Sequence, residues 1–214
     1  MVVDFGIGLE CRLGVEGPMA SSKPRRIPGR WREGYALDVH TVSSTYTGDN
    51  EFGHPTFSTE RSEVGELLYK LKYQGNQSVV PELVDVAASF AESWKPGVDV
   101  LVPVPASRAR AVQPVLIVGG ALATRLSLPF GSGWIRKAKD VPELKNVHDL
   151  DERMRLLDGA HAVESEQTKG RRILLFDDLF RSGATLNAIT ELLIDQGGAE
   201  AVFALTLTRT RGSP

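Results

Sequence analysis

The order of elements along the chain predicts an α/β fold, an open parallel sheet flanked by helices. Short apolar runs bounded by turn signals at 98–105, 171–178 and 201–208 read as buried parallel strands. Segments with apolar residues at helical spacing lie between them. Strand and helix alternate, so successive strands run parallel and the helices pack on the sheet's faces.

Taken in order, residues 17–34, GPMASSKPRRIPGRWREG, are rich in Gly, Pro and Arg and read as a loop or partly ordered arm. Residues 35–46, YALDVHTVSSTY, carry β-formers in partial alternation and suggest strands. Val64, Leu67, Leu68 and Leu71 form one helical face, and Gly75 ends that helix. A second helix follows Pro81, with Leu83, Ala87, Phe90 and Trp94 at helical spacing, and stops at Pro96-Gly97. After the strand at 98–105, Val115, Val118, Leu122 and Leu126 mark a third helix. Residues 131–150 are polar, contain Pro142 and read as a long loop. RRILLFDD, 171–178, is the strongest strand in the chain. Leu186, Ile189 and Leu193 give the helix after it, closed by Gly197-Gly198, and AVFALTLT, 201–208, is the last strand.

Composition narrows the function classes. At 214 residues the chain is long enough to bury a substantial core, and 42% hydrophobic with 24% charged residues is ordinary for a globular protein. A net charge of −2 gives no support to a general nucleic-acid binder, although a local basic strip remains compatible with it. Cys11 is the only cysteine, which excludes an internal disulfide framework and fits a reducing cytoplasm. No run of 18 apolar residues suggests a membrane span, and the N-terminus does not read as a signal peptide. The histidines His40, His54, His148 and His161 show no metal-ligand spacing, and they read as surface or core residues. Trp31, Trp94 and Trp134 read as packing residues.

Residues 173–187, ILLFDDLFRSGATLN, carry the chemistry. A buried strand runs into Asp177 and Asp178, and a tight turn of Arg181, Ser182, Gly183, Ala184 and Thr185 then opens a helix. Ligands of open α/β sheets bind at the carboxyl ends of strands. A helix start offers unpaired N–H groups and a partial positive charge. Gly183 lets backbone approach an anion, and Ser182 and Thr185 add hydroxyls, so the turn suits a phosphate. Carboxylates repel phosphate but accept hydrogen bonds from vicinal sugar hydroxyls. A sugar phosphate needs both features side by side.

This segment resembles the fingerprint of type I phosphoribosyltransferases: an apolar strand, two acidic residues, two further residues, then a Thr/Ser-rich turn with Gly and Thr. Arg181 stands where that family usually has Thr or Ser. It adds either an inward fork of donors for a phosphate or a solvated side chain. Other segments resemble the ComF-like branch: LLYKLKYQG at 67–75, LVPVPASRAR at 101–110 and WIRKAKDVPELKNVHDLDERMRLLDGAHAV at 134–163. The resemblance spans roughly residues 64–209. Many relatives begin with a cysteine-rich zinc ribbon, which this chain cannot build, and their Arg-Gly-Phe-Asn-like segment is replaced here by AVQPVLIV at 111–118.

The resemblance implies the type I phosphoribosyltransferase fold with a small N-terminal hood. Residues 1–62 would be the arm and hood, and 63–214 the core. It also implies 5-phosphoribosyl 1-diphosphate (PRPP) as ligand, with Mg2+ carried mainly through the substrate and no metal-binding protein residues. The phosphorylated ribose would sit on Asp177, Asp178 and the 181–185 turn. The diphosphate would lie at Pro105, Ala106, Ser107 and Arg108, with Arg110 beside them. Arg136, Lys137 and Lys139 would belong to a basic lid closing over the leaving group, so Asp177, Asp178, Arg136 and Lys137 are the candidate catalytic residues. A homo-oligomer with a role in nucleotide metabolism is expected. The implied activity is transfer of the phosphoribosyl group to a nucleophile bound by a hood near 35–60. The alternative is PRPP or nucleotide binding without turnover, in DNA uptake or processing.

Overall fold

The computed structural model describes residues 20–106, 112–139 and 159–212. Its main sheet has the order β1-β2-β9-β8-β5. The strands are β1 (Arg25–Arg26), β2 (Glu33–Val39), β5 (Val100–Pro103), β8 (Arg172–Phe180) and β9 (Ala201–Arg209). β2, β9, β8 and β5 pair in parallel, and the short β1 adds an antiparallel edge. The expected parallel sheet flanked by helices is therefore present.

Strand alternation explains the layers. Leu101, Leu174, Phe176, Phe203, Leu205 and Leu207 face one cluster, shared with α1 (Glu63–Gln74), α2 (Val80–Trp94) and α3 (Pro114–Arg125). Val100, Val102, Ile173, Leu175, Val202 and Ala204 face the other, shared with Leu186, Ile189 and Leu193 of the helix Ala184–Asp195. A short helix, α4 (Ser165–Thr168), precedes β8, so the helix after β8 is α5. Gly75 takes the left-handed conformation expected of a helix end, with φ 67°.

Three features differ from the sequence reading. β2 lies within the segment assigned to arm and hood, yet it pairs along its length with β9. Its Ala36 and Leu37 are fully buried, as the partner of a central strand must be. The segment before it, read as a loop or partly ordered arm, packs into the core over its described part: Ile27 and Trp31 are buried, and the Trp31 ring packs edge-on against Phe180. The polar stretch after 131 is not all loop either, because β6 (Ile135–Lys137) pairs with β7 (His161–Val163). Residues 140–150 of that stretch lie outside the described part. β3 (Thr41–Asp49) and β4 (Pro55–Arg61) form a separate two-stranded ribbon.

Candidate active site at the carboxyl end of β8

β8 does not stop at the acidic pair. It continues to Phe180, with Asp177 opposite Thr206 and Leu179 opposite Thr208 on β9. Asp177 and Asp178 therefore lie on rigid strand backbone at the sheet's carboxyl edge, where alternation sends neighbouring side chains to opposite faces. Asp178 faces the α1 side. Its Oδ2 lies 2.5 Å from Nζ of Lys72 on α1. Asp177 Oδ1 accepts the backbone N–H of Asp178 at 2.8 Å. Burial, and next the like charge of Asp178, push the Asp177 carboxyl up to about 8. Near neutrality Asp177 therefore holds its proton, while Lys72 pairs with Asp178.

The turn follows directly. Gly183 sits at φ 77°, in the left-handed region, and a Cβ there would meet the Phe180 ring at 2.9 Å. Asn187 N–H donates the first helical bond to Gly183 at 2.8 Å. Amide groups ahead of it have no intrahelical acceptor. Ser182 Oγ accepts from Ala184 N–H at 3.5 Å. Gly183 and Ala184 are buried, Ser182 and Thr185 half-buried, and Arg181 is exposed with no polar partner among the described residues. The backbone of Arg30, in the N-terminal segment, donates to Asn187 Oδ1 at 2.7 Å, and its side chain pairs with Glu191. The arm thus braces the helix whose start forms the turn.

Of the other predicted residues, Pro105 is half-buried and Ala106 exposed at the end of β5. Val104 N–H donates to Phe176 O at 2.9 Å, so this loop leaves the sheet beside the acidic pair. Ser107, Arg108 and Arg110 lie outside the described residues. Arg136 and Lys137 are exposed on β6, where Arg136 pairs with Glu164. Lys139, the third basic residue of that stretch, is also exposed.

Two residues beside the acidic pair were not among the predicted site residues, and one of them, His40, was read as a surface or core histidine. Lys72 lies within LLYKLKYQG, four residues after the buried Leu68, at the border of the apolar stripe of α1. A lysine at such a border is the only local signal of its role. His40 follows β2, and its Nδ1 lies 3.4 Å from Thr208 Oγ1, which itself donates to Asp178 O at 3.1 Å. Burial, then the charges of Lys72 and Arg61, hold the His40 imidazole below its usual pKa. Gly65 fixes the seat of α1, since a Cβ there would meet His40 O at 2.3 Å. Ser62 caps the same helix, accepting from Gly65 N–H at 3.0 Å while donating to Val39 O at 2.5 Å.

No family model matches the chain. The competence protein ComFC of Bacillus subtilis (strain 168) is 27% identical over 146 residues, 68% of this chain and 59% of that one. The adenine phosphoribosyltransferase of Campylobacter concisus (strain 13826) is 38% identical over 105 residues, 45% of this chain and 54% of that one. The chain resembles ComF-like proteins of the phosphoribosyltransferase fold. The matched part of the chain spans less than two thirds of the length of either curated relative. The solved adenine phosphoribosyltransferase of Saccharomyces cerevisiae aligns with a TM-score of 0.47 and 15% identity, over 78% of this chain and 85% of that one. Among the described residues, no helix is long and apolar enough to cross a membrane.

Proposed function

We propose that the carboxyl end of β8 binds PRPP and that the protein transfers its phosphoribosyl group to a nucleophile. The observation that carries this reading is the joining of two features on one strand end. Two adjacent carboxylates sit on rigid strand backbone, and a left-handed glycine turn then opens a twelve-residue helix. The turn's open amides and the hydroxyls of Ser182 and Thr185 suit the 5-phosphate. Asp177 and Asp178 suit the 2- and 3-hydroxyls of the ribose. The loop after β5 leaves beside them and suits the diphosphate.

In such a transfer the ribose carbon becomes cationic as the diphosphate departs, and the protein supplies position and charge stabilisation. Asp177 and Asp178 would place negative charge beside that carbon. Arg136 and Lys137 would bring positive charge to the leaving group if β6 closes over it. Among the described residues, no group of three or more His, Cys, Asp or Glu side chains could hold a metal. A magnesium ion held by diphosphate oxygens and water would neutralise the leaving charge. We place the protein in the cytoplasm, as a homo-oligomer acting in nucleotide metabolism.

A second reading, binding of PRPP or a nucleotide without turnover in a ComF-like role in DNA uptake or processing, is favoured by one observation. Arg181, where relatives usually carry Thr or Ser, is exposed and has no polar partner among the described residues. Incubation with PRPP, magnesium and a panel of bases or ammonia separates the two, since only the first reading releases diphosphate. For both, PRPP with magnesium raises the melting temperature, because a ligand bound only to the native state stabilises it. No shift at millimolar PRPP would count against both.

A further inference from the structure

Lys72 is joined to the acidic pair across 106 residues of sequence. Its ammonium and the Asp178 carboxylate are mostly covered, at 16% and 14% exposure. The fold does not need this ion pair to seat α1. Val64, Leu68 and Leu71 are fully buried on the same helix, and Ser62 caps it. A covered ion pair is seldom the most stable choice, because apolar residues in its place often stabilise a fold more. Its value lies in charge. Two carboxylates meant to receive a phosphorylated sugar would otherwise repel it, and one resident cation offsets the negative charge of Asp178.

We propose that Lys72 is the resident counter-ion of the acidic pair and passes to an anionic oxygen of the ligand when a sugar hydroxyl takes Asp178. This rests on the PRPP reading and specifies which part of the ligand Lys72 serves. The 5-phosphate already has the turn at 181–185. The anion next to the 2- and 3-hydroxyls is the group on ribose C1, which is the diphosphate of PRPP and is absent from ribose 5-phosphate. Lys72 therefore discriminates between the two, favouring the ligand with an anion at C1. Before binding, the lysine pairs with Asp178. After binding, the sugar hydroxyl hydrogen-bonds the Asp178 carboxylate, which keeps its charge, and the lysine pairs with the diphosphate.

The test is calorimetric titration of PRPP with magnesium, and separately of ribose 5-phosphate, into wild type, Lys72→Met and Lys72→Arg. The expected result is an affinity for PRPP about tenfold or more weaker in Lys72→Met, largely recovered in Lys72→Arg. Affinity for ribose 5-phosphate should stay within about twofold in both, since the interaction removed is at C1. Should Lys72→Met fail to fold, Lys72→Gln takes its place with the same expectations. The proposal is overturned if the neutral variant binds PRPP as tightly as wild type or tighter, if it loses both ligands equally, or if arginine restores nothing. A wild type that binds no PRPP overturns the underlying reading as well. A wild type that binds PRPP while the neutral variant matches it overturns the counter-ion role alone.

Discussion

Residues 173–176 and 177–180 of β8 share one backbone and one neighbour, β9, but they are built for opposite ends. In the first half every side chain is fully buried, packed on the two core clusters. In the second half two consecutive carboxylates stand at the strand's end, and burial and the like charge of Asp178 disfavour ionisation of Asp177. The first half stabilises the fold and carries no chemistry. In the second half Phe180 still packs in the core, but Asp177 costs stability, and the acidic pair is suited to a ligand. Binding sites of this kind depend on the rigid strand beneath them to keep destabilised groups in place.

The largest expected effect breaks the first half. Phe176→Ala removes a fully buried ring that packs near Gly119, and it should cost about 3–5 kcal/mol of stability. Urea unfolding measures it. The folded fraction should still bind PRPP, and a loss below about 1 kcal/mol would mean that this half of β8 is not the core element described here.

The next effect has the opposite sign. In the unfolded chain an aspartate loses its proton near pH 4, roughly the model-peptide value, whereas folded Asp177 holds its proton up to about 8. Below pH 4 both states are protonated and there is no difference. Between those values the folded state binds more protons, so this group's contribution to stability falls as pH rises, and it stays low above 8. Asp177→Asn should therefore stabilise the protein at pH 8 by about 2 kcal/mol or more and flatten the decline from pH 5 to 8. Unfolding curves at the two pH values check it. An Asn variant no more stable than wild type at pH 8 would contradict the picture of a destabilised strand end.

The smallest effect sharpens the edge of the second half. Arg181→Thr should leave stability within about 0.5 kcal/mol, as for an exposed site. If the guanidinium reaches the 5-phosphate, the variant binds PRPP more weakly and with a shallower salt dependence. Equal affinities and equal salt slopes would assign the phosphate to the backbone turn alone.

Most of the sheet was legible because its strands are short apolar runs bounded by local turn signals: 98–105, 171–178 and 201–208 all fall on strands of the structure. The acidic pair and the turn were legible for the same reason, being contiguous. β2 was less so, since its partner β9 lies at the far end of the chain, and its GYALDV segment shows alternation without showing which strand it joins. β4 was not read at all. Its PTFSTER sequence is mostly exposed on a two-stranded ribbon and lacks the apolar alternation that a core face imposes. Lys72 carries no signal in the sequence beyond its place in LLYKLKYQG. Helical periodicity places it at the border of the buried face of α1, but the seat of that helix over β2 and β9 depends on tertiary packing, including the close approach of Gly65 to His40.

The central claim is that Asp177 and Asp178 hold the ribose of PRPP. Calorimetric titration of PRPP with magnesium into wild type and into Asp177→Asn/Asp178→Asn, with circular dichroism confirming the fold, tests it most directly. The account predicts saturable binding by wild type and an affinity at least about tenfold weaker in the folded double variant, because hydrogen bonds to charged groups are lost. A folded double variant that binds PRPP as tightly as wild type would contradict it.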